Sequence, residues 1–115
     1  MLVDAQNVRR SLWPNLSPEE LATRCGAWAS AAGVEALVVF DGPAPAMEAA
    51  AGLEVVGTDA ESADDRIAAE AAQLAAAGEP YWLVTSDRGL RARAGAGAER
   101  TIGGGAFVRE LTEAA

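Results

Sequence analysis

The residues of this chain whose type and placement could do chemistry are its six aspartates: Asp4, Asp41, Asp59, Asp64, Asp65 and Asp87. Asp4 ends the apolar pair Leu2-Val3, Asp41 follows the run from Ala36 to Phe40, Asp59 trails Val55-Val56, and Asp87 follows the segment from Tyr81 to Thr85. Carboxylates gathered within a few ångströms repel one another strongly, and a cation is the natural way to neutralise them. An oxygen-only donor set suits Mg2+ or Mn2+. A metal so held polarises a phosphoryl oxygen and lowers the pKa of bound water, which supplies a nucleophile without histidine. Phosphodiester hydrolysis is the evident use. The sequence contains no histidine, and Cys25 is its one cysteine. These counts exclude a disulfide within the chain, a Cys/His zinc site and histidine-based acid/base catalysis.

Each aspartate also has a structural reading. Asp64 and Asp65 stand in the first helical turn after Ser62, where carboxylates complement the helix dipole, and Asp65 nearly completes a capping box. Asp87 could cap the helix that follows Ser86. Asp4 and Asp41 are harder to explain as turn residues, because they end two apolar runs and are joined by three further acids. Asp59 reads as surface loop. The eleven glutamates show no bias toward strand ends.

The elements that must position these acids alternate between strand and helix, punctuated by glycine and proline. Leu2-Val3, Ala36 to Phe40, Val55-Val56, Tyr81 to Thr85 and Arg100 to Ile102 read as strands. Ser17-Pro18-Glu19-Glu20 supplies an N-cap, a proline at the first helical position and acids in the first turn. The helix it opens carries Leu21, Cys25, Trp28 and Ala32 at helical spacing and closes at Gly33. Ser62-Ala63-Asp64-Asp65 opens a second helix with a stripe of Ile67, Ala71 and Leu74. Asp87 to Ala94 is a third, and a last one holds Phe107, Val108 and Leu111 after Gly103-Gly104-Gly105. Strands separated by helices run parallel with right-handed crossovers, and ligands of such sheets bind beyond the carboxyl ends of the strands. The aspartates fall at that end.

With 115 residues, the pattern reads as a single domain spanning 1–115 with no linker or repeat. Twenty-eight alanines let helices approach the sheet closely, so the large core members are few: Trp13, Trp28, Tyr81, Trp82, Phe40 and Phe107. No apolar run is long enough for a membrane helix and no secretory leader is evident, so the cytoplasm is the expected compartment. The net charge of -8 opposes broad attraction to nucleic acid. The nine positive charges are all arginine, which grips phosphate by a bidentate fork. Arg9 with Arg10, and Arg88 with Arg91 and Arg93, could form a basic rim around an acidic pocket.

Four segments together resemble a known family. Leu2-Val3-Asp4-Ala5-Gln6-Asn7-Val8, Val38-Val39-Phe40-Asp41-Gly42, Ser62-Ala63-Asp64-Asp65 and Thr85-Ser86-Asp87 are similar, in order and spacing, to YacP-like NYN domains of the PIN-like ribonuclease superfamily. The resemblance spans nearly the whole chain. It implies a Rossmann-like, PIN-like three-layer α/β domain with a central parallel sheet of about five strands flanked by helices. It further implies Mg2+- or Mn2+-dependent endoribonuclease activity on single-stranded RNA. By position, Asp4, Asp41, Asp64 and Asp87 match the family's catalytic, metal-binding acids, and Asp65 an additional metal-binding acid. Asn7 matches an asparagine lining the same pocket, and Arg88 and Arg9 are placed for substrate phosphate. Two departures stand out. Only three residues precede Asp4, where the family has a longer first strand, so the central strand is expected to be weak. Ala5-Gln6 replaces the usual glycine and aromatic residue.

Trp13, in the segment from Arg9 to Pro18, is expected either to anchor that loop or to stack on an RNA base; Trp28 and Trp82 belong to the core. The weak overall field leaves room for a recruiting partner such as the ribosome. The absence of lysine removes a phosphoryl-receiver site and a P-loop. The remaining alternatives are a non-catalytic RNA- or protein-binding module and a metal-dependent nuclease acting on DNA.

Overall fold

Alternating residues of the strands explain the layering. Val3, Val38, Phe40, Val84 and Ile102 pack into one apolar cluster with Leu21, Cys25, Phe107, Val108 and Leu111. Leu2, Val39 and Leu83 pack into another with Ala63, Ile67, Ala71, Leu90 and Ala94. Successive strand side chains point to opposite faces, so a sheet apolar at both parities must be covered on both sides. The computed structural model describes residues 1–48 and 50–113. In chain order the elements are β1 (Leu2–Asp4), α1 (Ala5–Arg10), α2 (Pro18–Ala32), β2 (Ala36–Phe40), β3 (Leu53–Gly57) and α3 (Ala63–Ala76). After them come β4 (Trp82–Val84), α4 (Arg88–Ala94), β5 (Arg100–Ile102) and α5 (Gly104–Glu113). Helices α1, α2 and α5 cover one face and α3 and α4 the other.

The sheet is parallel throughout, in the order β3-β2-β1-β4-β5. Strand β1 is short, as expected, yet central: Leu2, Val3 and Asp4 pair with Leu37, Val38 and Val39, and on the other edge Leu2 and Val3 pair with Leu83 and Val84. The chain winds outward from β1 through β2 to β3, then returns to β4 on β1's other side. That reversal puts the topological switch point between β1 and β4, where crevices open at the carboxyl ends of the strands. One connection departs from the expected rule: among the described residues between β2 and its parallel neighbour β3 there is no helix.

Local chemistry sets the helix ends. Ser17 Oγ accepts the Glu20 N–H at 3.1 Å, Pro18 occupies the first turn, and Gly33 ends α2 at φ 72°. This is the left-handed conformation that glycine adopts without a Cβ penalty. The buried stripe of α2 is Leu21, Ala22, Cys25 and Ala29. Ala32, expected in that stripe, is exposed, and Ala29 is the last buried residue of the helix. Trp28 is half-buried and packs edge-on against Trp82 and Phe107, with ring centroids 6.1 and 5.2 Å apart. Burial pushes the Cys25 thiol up to about 12.

Two expectations are corrected. Trp13 is not in the core; it is 86% exposed. The loop expected from Arg9 to Pro18 begins only after Arg10, because Arg9 and Arg10 end the helix α1, whose Ala5 and Val8 are buried. Ala5, Val8 and Leu12 recur at helical spacing, which was the available signal. The helix is too short for that periodicity to stand out without its tertiary contacts. Among the described residues no helix is long and apolar enough to cross a membrane.

Candidate functional site

Asp4, Asp41, Asp64 and Asp87 line one cleft of about 270 Å3, together with Gln6, Asn7, Arg10, Ser62 and Ala63. Each acid arrives by a different route. Asp4 ends β1 and is 6% exposed. Asp41 stands one residue beyond β2, Asp64 lies in the first turn of α3, and Asp87 is the N-cap of α4. The four converge because β1, β2 and β4 are parallel neighbours and α3 begins over their carboxyl ends. A larger concavity, about 730 Å3, lies on the outer side of α2 and is bounded by Trp28 and Leu111. It lacks a convergent set of acids, so the smaller cleft is the better candidate for chemistry.

Three of the acids commit one oxygen to the fold. Thr85 Oγ1 donates to Asp4 Oδ2 at 2.9 Å. Asp41 Oδ1 accepts the Ala63 N–H at 3.3 Å and shares the Thr58 hydroxyl at 3.4 Å. Asp87 Oδ1 accepts the Leu90 N–H at 2.8 Å and so caps α4. A carboxylate has two oxygens, so capping and ligation are compatible at Asp87 rather than exclusive. Asp64 caps nothing; Ser62 Oγ accepts the Asp65 N–H instead.

The electrostatics follow the crowding. Burial raises the Asp4 carboxyl above the ordinary carboxylate range, the Thr85 hydroxyl offsets part of this, and the charges of Asp64 and Asp87 add to it. Asp64 is also raised, by burial first and then by Asp87, with Asp41 and Asp65 contributing and Arg93 opposing. Repulsion between like charges in one cleft is what a bound cation relieves. Among the described residues, however, no three acidic side chains are placed to hold an ion between them as they stand.

Other residues singled out by sequence are placed as follows. Asp65 lies outside the cleft lining and pairs with Arg93 at 2.8 Å, a contact that holds its carboxyl below the ordinary range. Asn7 lines the cleft, with Oδ1 accepting the Ser86 N–H at 2.9 Å. Arg9 is turned away, its guanidinium donating to Gln6 Oε1 and Leu16 O, both at 2.8 Å. Arg10 lines the cleft in its place. On a helix, position 10 neighbours both 6 and 7, whereas position 9 neighbours 6 but not 7. That assignment could not be read without recognising α1. Arg88 opens α4 and is exposed. Its sequence neighbours are committed elsewhere: Arg91 donates to Thr85 O at 2.9 Å and Arg93 to Asp65. Asp59 is an exposed loop residue.

Sequence reasoning missed two threonines and two glycines. Thr85 is fully buried and, besides holding Asp4, accepts the Asp87 N–H at 3.1 Å. Thr58 is buried and accepts the Gly42 N–H at 3.0 Å. A Cβ on Gly104 would collide with Asn7 Oδ1, and one on Gly57 would meet Gly42 O at 2.5 Å. Both contacts are tertiary and leave no motif.

A central parallel sheet in this order, helices on both faces and acids at the carboxyl ends define a PIN-like three-layer α/β domain. Its fold is YacP-like, as two solved structures show. The crystal structure of Rae1 (YacP) from Bacillus subtilis superposes with a TM-score of 0.74 at 23% identity, covering 97% of this chain and 72% of that one. A tryptophan-to-leucine mutant of the same protein gives 0.75 at 25% identity, covering 97% and 74%. No protein-family model and no curated protein matches the sequence.

Proposed function

We propose that this protein is a metal-dependent endoribonuclease that hydrolyses phosphodiester bonds of single-stranded RNA in the Asp4–Asp41–Asp64–Asp87 cleft. The observation that carries the reading is the gathering of four carboxylates in one cleft at the switch point of a PIN-like fold. The donor set fits a hard divalent cation: it is all oxygen, and the charges of the neighbouring aspartates add to burial in raising the carboxyls of Asp4 and Asp64. The lack of a ready-made three-carboxylate cage is compatible with magnesium, which keeps several waters and is commonly held by one or two carboxylates. Mg2+ or Mn2+, when bound, would polarise the phosphate and acidify a water.

The chain's own groups then have distinct tasks. Asp4 and Asp41, tied through Thr85 and Thr58, would hold the cation through their remaining oxygens. Asp64 and Asp87 complete the acidic wall, and Asn7 fixes the β4–α4 turn through Ser86. Single-stranded RNA is the expected substrate, from the likeness of the four motif segments to NYN ribonucleases. Cleavage of labelled single-stranded RNA should be abolished by EDTA, restored by Mg2+ or Mn2+ and lost in Asp4→Asn, with single-stranded DNA as the comparison substrate. Cleavage that persists in EDTA would overturn the reading.

One observation favours a second reading, a non-catalytic binding module: no three acids are arranged around a common ion position among the described residues. Thermal melts separate the two. A ligand that binds only the folded state raises the melting temperature, so divalent metal should stabilise the wild type and stabilise Asp64→Asn much less. The binding-module reading expects no response in either protein.

A further inference from the structure

The arginines divide by what they hold. Arg9, Arg24, Arg66, Arg91 and Arg93 each donate to an acceptor within the chain, and Arg100 lies over the Trp82 ring at 5.1 Å. Among the described residues Arg10, Arg88 and Arg109 make no such contact, and of these Arg10 lines the acid cleft. A guanidinium beside four carboxylates, yet captured by none of them, is free to meet an incoming anion. A polyanion entering an acidic cleft needs such a cation.

Three residues further on is Trp13, the one large hydrophobic side chain exposed among the described residues, at 86%. Trp28 and Trp82 gain edge-on aromatic contacts; Trp13 gains none, so it does not anchor its loop. Three residues of chain reach no further than about 11 Å, so the Trp13 backbone stays within that distance of Arg10, which lines the cleft. Tyrosine or tryptophan faces stack on any unpaired base, whereas the bases of a duplex have no free face to offer.

We propose that Arg10 and Trp13 form a binding platform for single-stranded RNA beside the acid cleft, Arg10 gripping a backbone phosphate and Trp13 stacking on a neighbouring base. The proposal rests on the nuclease reading for the identity of the cleft. It assigns substrate contact to the outer end of α1 and the segment after it, rather than to Arg9 or the Arg88–Arg93 stretch.

The test is fluorescence anisotropy of a labelled mixed-sequence single-stranded RNA in EDTA, so that binding is read without cleavage. Trp13→Ala should weaken binding roughly five- to 150-fold, and Trp13→Phe should recover most of it. Both variants should melt like wild type, since the side chain is in solvent. Arg10→Ala should weaken binding and reduce the slope of log affinity against log salt by about 0.7. A duplex of the same sequence should not distinguish Trp13→Ala from wild type. Failure of the wild type to bind, or equal binding by wild type and Trp13→Ala, would overturn the platform; equal binding would assign the exposed indole to a protein contact. Cleavage assays run in parallel keep the two readings apart. RNA binding that depends on Trp13 without cleavage removes the nuclease and keeps the platform, and cleavage indifferent to Trp13 does the reverse.

Discussion

At the β1–β4 corner Asp4 is buried and receives the Thr85 hydroxyl at 2.9 Å, while at the β2–β3 corner Asp41 stands in solvent and shares the Thr58 hydroxyl with Phe40 O, at 3.4 and 3.2 Å. Both corners use an aspartate, a buried threonine and a glycine whose missing side chain makes room for a neighbour. Gly104 makes room for Asn7 at the first corner, and Gly57 for the Gly42–Ala44 backbone at the second. The corners differ because Asp4 is the last residue of the central strand and is still paired, with Val39, whereas Asp41 stands one residue beyond the last pairing of β2, Phe40 with Gly57. Burial therefore raises the carboxyl of Asp4 and makes its hydroxyl partner matter, while Asp41 is held by several weaker contacts.

Breaking the acids should give the largest effect. Asp4→Asn and Asp41→Asn should each lower RNA cleavage at least about 100-fold, the scale of losing one preorganised electrostatic contact. Metal-free stability should separate them. Asn still accepts the Thr85 hydroxyl, so Asp4→Asn removes a disfavoured buried charge and should stabilise the chain by on the order of 1 kcal/mol; Asp41→Asn should change it much less. Chemical denaturation in EDTA reads both. Equal shifts would remove the difference between the corners.

The glycines should come next. A Cβ at Gly57 meets backbone atoms, Gly42 O at 2.5 Å and Ala44 N at 2.6 Å, which cannot move without displacing the turn beside Asp41. Gly57→Ala should cost about 1–3 kcal/mol by overpacking. At Gly104 the obstacle is a side chain, so Gly104→Ala should displace Asn7 and lower cleavage with a smaller loss of melting temperature. A stability loss as large as that of Gly57→Ala would show the Asn7–Ser86–Gly104 contacts to be structural first.

The threonines sharpen the comparison further. Each threonine also accepts a backbone N–H, Thr85 from Asp87 and Thr58 from Gly42; beyond that common loss, Thr85→Val leaves a buried carboxylate without its donor, at about 1–3 kcal/mol, whereas Thr58→Val removes a shared bond worth about 0.5–1.5 kcal/mol. Denaturant midpoints should rank them in that order.

The smallest effect is a pH dependence. The folded-state carboxyl of Asp4 is raised above 3.8, so between that value and the raised one the folded chain binds more protons than the unfolded chain. Its contribution to stability then falls as pH rises through this window. The advantage of Asp4→Asn over wild type should be absent at low pH, grow through the window and level off at neutral pH. For Asp65 the sign reverses: its lowered carboxyl gives stability that is present at neutral pH and lost as pH falls. Melting curves of the two asparagine variants from pH 3 to 7 should therefore diverge in opposite senses.

The sequence by itself determined the parallel α/β alternation, because apolar runs at strand length and capped helical stripes are local signals. Ser17-Pro18, Ser62 and Gly33 mark helix ends through bonds that span a few residues, and the strands Ala36–Phe40 and Arg100–Ile102 have the bounds read from their composition. The strand-end aspartates were legible for the same reason, since a charge after an apolar run is visible without coordinates. Helix α1 was not, because six residues do not make a helix stable alone; the buried contacts of Ala5 and Val8 do. Tertiary structure alone decided which adjacent residue faces the cleft. Asp64 lines it while Asp65 pairs with Arg93, and Arg10 lines it while Arg9 reaches Leu16. One step along a helix turns a side chain by about 100°, so neighbours identical in chemistry differ in what they meet. The buried threonines and close-packed glycines belong to the same class. Their partners lie on other strands and helices, and only the folded sheet brings them within bonding distance.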